Sequence, residues 1–144
     1  MGEPIDLEIG LTRAAGEQYA LDVRLNNPRD DTLRDPFSAA VVIPAKELAD
    51  LRARGDWTGY GKVLSERIFQ GAAKTMYDDG KRMAGVQNTG VRIRMRIDQS
   101  APELHAVVWE TLLDPNRVDP NAPAWLSTLP NVYFSRFRHE YQRP

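Results

Sequence analysis

The sequence predicts an α+β fold: a mixed β-sheet packed against one long and one or two short helices. Three observations predict it. Two early runs, 5–11 and 19–25, alternate apolar with polar residues. A stripe of apolar residues four apart then runs from Tyr60 through Leu64, Ile68 and Ala72 to Met76. A third alternating run, "VRIRMRID", comes only after that stripe. Period two marks a strand with one wet face, and spacing of four marks an amphipathic helix. Strands, then helices, then strand, helix and strand is an α+β order.

The first strand is expected over 4–11, where Ile5, Leu7, Ile9 and Leu11 face one way and Asp6, Glu8 and Gly10 the other. The second, over 17–25, repeats the pattern with Tyr19, Leu21, Val23 and Leu25, and the Gly16 connection makes the pair a hairpin. "NNPRDDTLRDP" is turn chemistry. The third strand, over 37–43, has so little polar character in "AAVVI" that both its faces are expected to be covered.

Pro44 ends that strand and opens a short helix, "AKELADLRARG", that closes at Gly55. The long helix is expected over 58–83. Gly59, Gly61 and Gly71 weaken it by about 1 kcal/mol each relative to alanine, so packing must hold it. The fourth strand spans 90–97, with Val91, Ile93, Met95 and Ile97 on one face and Arg92, Arg94 and Arg96 on the other. Ser100 as N-cap and Glu103 three residues on have capping-box spacing, which predicts a short helix there. "NVYFSRFRHEYQ" supplies the last strand, over 131–138.

The 144 residues, 1–144, suit a single domain with a sizeable core. A net charge of -1 gives no global field to attract nucleic acid or acidic membranes. With no cysteine, disulfides, thiolate metal sites and a cysteine nucleophile are excluded within the chain. The histidines, His105 and His139, stand at no ligand spacing, so no metal and no cofactor is expected. There is no secretory signal in "MGEPIDLEIG" and no run long enough for a membrane span, so the expected location is cytoplasmic.

Three groups invite a functional reading. Arg92, Arg94 and Arg96 could follow a phosphate backbone, which makes a small nucleic-acid-binding module the alternative function. Against it, no stacking aromatic interleaves them, and Asp6, Glu8 and Asp22 on neighbouring strands could pair with them. Glu103 and Glu110 lie seven apart on one expected helix face, but no other catalytic group accompanies them. Trp109 with Val107, Val108, Leu112 and Leu113 forms a dense apolar patch, either core or a seam against a neighbouring domain.

The segment "VRIRMRIDQSAPELHAVVWETLLDP" followed by "NVYFSRF" resembles the region that leads into the protease core of bacterial CHAT-domain proteins, which are caspase-like, clan CD-type cysteine peptidases and their relatives. The shared features are the arginine-alternating strand, "APEL", the pair Trp109–Glu110 with "TLL" and "DP", and an "FSRY"-like strand at Phe134, Ser135 and Arg136. Val108 replaces a proline often found before the tryptophan, and Phe137 replaces the tyrosine. The resemblance is specific from about residue 90 onward, with a similar layout upstream. It implies a non-catalytic N-terminal region preceding a caspase-like catalytic domain. The family's His-Gly motif and cysteine are not in this sequence, so no catalytic residue carries over and the chain is expected not to be an enzyme.

The implied role is scaffolding and interaction: docking on a caspase-like catalytic domain in cis or in trans, or self-association when that partner is missing. The expected interaction residues are Trp109, Glu110, Leu113, Phe134, Arg136 and Phe137. Glu110 is also expected to fix a neighbouring loop by accepting backbone N–H bonds. The end "HEYQRP", directly after a strand, is expected to be a cut rather than a finished terminus.

Overall fold

The computed structural model describes residues 2–28, 36–116 and 124–139, with side chains described through residue 136. The turn at 29–35, the loop at 117–123, the Phe137 side chain and Tyr141 therefore lie outside the described residues. The fold is α+β. Five strands, β1 (Ile5–Ala15), β2 (Gln18–Asn26), β3 (Phe37–Val42), β4 (Val91–Asp98) and β5 (Val132–His139), form one mixed sheet in the order β3-β2-β1-β4-β5. β1 pairs antiparallel with β2, and β2 with β3, while β4 lies parallel to both β1 and β5. All five strands lie close to where the sequence predicts them, β1, β2 and β4 from period-two alternation.

Three helices, α1 (Ala45–Ala53), α2 (Trp57–Ile68) and α3 (Ala72–Val86), supply most of the cover for one sheet face. The residues that alternate inward on β1 and β4, from Ile5 to Leu11 and from Val91 to Ile97, are all buried, and they join Leu64, Ile68 and Tyr77 of the helices in one core cluster. The hydrophobic effect thus selects the face: a one-residue slip would expose this whole set.

The single helix expected over 58–83 is two helices. Gly71 adopts φ 54°, a left-handed conformation that glycine takes without a Cβ clash, and the chain breaks between Ile68 and Ala72. The break shifts the apolar phase by one residue, so Ala72 is exposed and Ala73 buried. It also turns Phe69 inward onto Tyr77, with ring centroids 5.3 Å apart. Apolar spacing alone could not reveal this, because the stripe resumes on the far side of the break.

Two further expectations are corrected. β3 is not covered on both faces: Ser38, Ala40 and Val42 are exposed on the face opposite the helices. Between β4 and β5 the chain forms short 3₁₀ turns, Pro102–Ala106 and Trp109–Thr111, instead of one capped helix. Ser100 does not cap. Its Oγ accepts from the Arg13 N–H at 3.1 Å, and Ala101 takes the N-cap position without a side-chain bond. Val107 is extended between the turns, so Glu103 and Glu110 share no helix face.

Candidate functional site

The open face of the sheet carries the arginine stripe, and the register explains where each charge goes. Asp6 stands beside Arg92, and the pair is bidentate at 2.6 and 3.1 Å. Gly10 lies between Asp22 on β2 and Arg96 on β4. A Cβ on Gly10 would overlap the Arg96 guanidinium. The bare glycine lets that side chain cross β1, so Nη2 reaches the Asp22 carboxylate at 3.0 and 3.1 Å while Nε bonds Glu8 at 2.9 Å. The hydrogen bonds that Arg92 donates to Asp6 raise its pKa. At Arg96 burial opposes the charged form, and the Asp22 and Glu8 carboxylates outweigh it, for a net rise.

Asp6, Glu8 and Asp22 are the acids expected to pair with the stripe. With Arg92 and Arg96 paired to acids on the same open face, the stripe offers a phosphate backbone far less than three free guanidinium groups would. A cleft of about 340 Å³ lies on this face beside Glu8, Arg24 and Arg94.

A second cluster ties the β1–β2 hairpin to the turn after β4. Tyr19 donates its hydroxyl to Glu103 Oε2 at 2.6 Å, and Arg13 bonds the same oxygen. Burial and the neighbouring Glu103 carboxylate push the Tyr19 hydroxyl up to about 12. Burial also opposes ionisation of Glu103, but the Tyr19 hydrogen bond and the Arg13 charge outweigh it and hold that carboxyl below its usual range. Beside it, a cleft of about 220 Å³ is lined mainly by apolar side chains, Ile43, Leu48 and Leu104 among them. The cluster is a tether: Arg13 also donates to the Ser100 and Gly16 carbonyls, so its bonds run between parts of the same chain. Among the described residues, no group of three or more His, Asp or Glu side chains is placed to hold a metal.

Of the six residues expected to interact with a partner, the five with described side chains divide sharply. Trp109 and Leu113 have no exposed surface; Trp109 donates its indole N–H to the Leu104 carbonyl at 2.9 Å. Their apolar area is spent inside this chain, so a docking surface must be built from other groups. Gly61 makes this packing possible, since a Cβ there would overlap the Thr111 carbonyl oxygen. Glu110 and Arg136 are exposed and pair with each other at 3.3 Å. Arg136 also donates to the carbonyls of His105 and Val107 at 3.1 and 2.8 Å, clasping β5 to the 3₁₀ turns. The Glu110 carboxylate thus holds a guanidinium, and its main-chain oxygen accepts from Ser127 Oγ at 3.1 Å. Phe134 is half-buried against the core, and Tyr133 is 45% exposed on the open face.

β5 is an edge strand. The Val91 N–H donates to the Asn131 carbonyl at 2.9 Å. In a parallel ladder, that bond turns the backbone groups of Tyr133, Ser135 and Phe137 toward β4. The N–H and C=O groups of Phe134, Arg136 and Arg138 therefore point away from the sheet. This row is what an added strand would pair with. Neither a family model nor a curated protein nor a solved structure matches this chain.

Proposed function

We propose that this chain is a non-catalytic interaction and scaffolding domain that docks through the outer edge of β5. The observation that carries the reading is the outward backbone row at Phe134, Arg136 and Arg138, set by the β4–β5 register. Two features support it. Phe134 leaves part of its ring uncovered at that edge, and Tyr133 adds exposed aromatic area on the other face. The edge is also rigid, because Arg136 is fixed by Glu110 and two carbonyls, so little side-chain entropy is lost on docking.

The partner proposed is a caspase-like catalytic domain, joined to this chain or separate from it. That parentage rests on the motif residues from Arg92 to Phe137 alone. The chain itself is proposed to do no chemistry, because its sequence holds neither the cysteine nor the His-Gly motif that the resemblance would require of an enzyme.

The test is a titration of this chain with a separately produced CHAT-type catalytic domain, followed by calorimetry. Arg138→Pro removes an outward N–H and no β4 bond, so it should weaken binding at least roughly tenfold. Arg94→Ala, on the open face, should leave binding unchanged. Circular dichroism checks that both variants fold. Binding that ignores Arg138→Pro, or no binding at all, would overturn the proposal.

A further inference from the structure

The other edge of the sheet has a different character. The Ile43 N–H donates to the Glu17 carbonyl at 3.1 Å. In the antiparallel register of β2 with β3, that bond makes Val41, Ala39 and Phe37 the residues that exchange bonds with β2. Ser38, Ala40 and Val42 therefore turn their N–H and C=O groups outward, and their side chains are exposed on the open face.

This strand is self-complementary. An antiparallel copy centred on Ala40 sets Ala40 beside Ala40 and Ser38 beside Val42, and on the helix side Ala39 beside Val41. No charge meets a like charge; the central side chains are small, and Phe37 falls beside Ile43 at either end. The segment "FSAAVVI" is uncharged and rich in strand formers, bracketed by Pro36 and Pro44. β5 differs: its sequence "VYFSRFRH" carries two arginines and no acid, so a second copy of β5 opposes like charges.

Among the described residues, one contact stands in the way at β3. Arg67, in the last turn of α2, donates Nη1 to the Val42 carbonyl at 3.2 Å. That oxygen is the acceptor a second copy would need for the Ser38 N–H.

We infer that β3 is a docking edge for a second copy of this chain, held closed by Arg67 on the Val42 carbonyl. Pairing gives an isologous two-fold dimer with a continuous ten-stranded sheet, and it closes because each copy offers one such edge. It uses neither β5 nor the catalytic-domain partner, so it stands apart from the function proposed above.

The experiment is sedimentation velocity over a concentration series. Arg67→Met keeps the aliphatic stem packed and removes the donor. It should dimerise at least roughly tenfold more tightly than the wild type, the effect of freeing two acceptors, one on each copy, from exposed charged donors. Arg67→Lys, which restores a cation, should return toward wild-type behaviour. Adding Ala40→Lys to Arg67→Met places two ammonium groups face to face and should restore the monomer. Adding Arg138→Pro should leave the dimer intact. The inference is overturned if folded Arg67→Met associates no more tightly than the wild type, if Ala40→Lys fails to reverse the association, or if Arg138→Pro abolishes it, since the last places the contact on β5. Should Arg67→Met not fold, Ala40→Lys in the wild-type background decides: unchanged association at high concentration overturns the docking edge, and loss of association upholds it.

Discussion

The two faces of the same sheet are held by different physics. On the helix side, β1 and β4 present eight apolar side chains, four each, that are almost wholly removed from water. On the open side, the same strands present acids and arginines that solvent still reaches. Apolar burial stabilises at about 25 cal/mol per Å² and needs no particular geometry beyond close packing. Exposed ion pairs contribute little each, and only when geometry is good. The comparison teaches that stability lies on the covered face, while the open face chiefly fixes register and local charge.

The largest effect should come from the covered side. Trp109→Ala removes a ring with no exposed surface and leaves its cavity against Leu104 and the core, so unfolding free energy should fall by about 3–5 kcal/mol. Urea titration measures it. A loss under roughly 1 kcal/mol would mean that this segment is not part of the core, and the contrast between faces would fail.

A smaller effect is expected on the open side, and it has a specific signature. Gly10→Ala forces the Arg96 guanidinium off its path to Asp22, at a cost of about 1 kcal/mol. In an Arg96→Met background the same alanine should cost nothing or stabilise, because the obstacle is gone and alanine loses less backbone entropy than glycine. A double-mutant cycle reads this coupling. Additive costs would show that the glycine serves something other than the arginine's passage.

The smallest effect is pH-dependent. The Glu103 carboxyl is held below its unfolded value, so its contribution is present above the ordinary carboxylate pKa and is lost as pH falls through the depressed folded one. Tyr19 runs the other way. Its folded pKa is raised to about 12, so its contribution is present below pH 10 and is lost as pH rises through the folded value. Glu103→Gln should flatten the acid limb of the stability profile. An acid limb that survives unchanged would assign the dependence to other carboxylates.

Alternation made much of this legible in advance. Period two located β1, β2 and β4, and it put Arg92 and Arg96 on the face opposite the core, within reach of Asp6, Glu8 and Asp22. It could not reveal that Gly10 is a passage, because which strands neighbour β1 is a matter of topology. The helix break was hidden because Gly71 reads as a tolerated weakness in a stripe that continues beyond it. The capping-box reading at Ser100 failed because Arg13, 87 residues away, claims that hydroxyl. Arg67 on Val42 was invisible for the same reason: a contact between a helix end and a strand edge leaves no periodic mark. Trp109 and Leu113 were legible as apolar, but whether they faced inward or toward a partner depended on tertiary packing.

The central claim is that β5 keeps an unpaired outer edge ready for a partner strand, and amide hydrogen exchange tests it most directly. In the isolated chain at low concentration, the Tyr133 and Ser135 amides, bonded to β4, should be protected. The Phe134 and Arg136 amides, pointing outward, should exchange orders of magnitude faster, and they should become protected when a caspase-like catalytic domain is added. Uniform protection of all four amides in the isolated chain would contradict the account, because the edge would then already be covered.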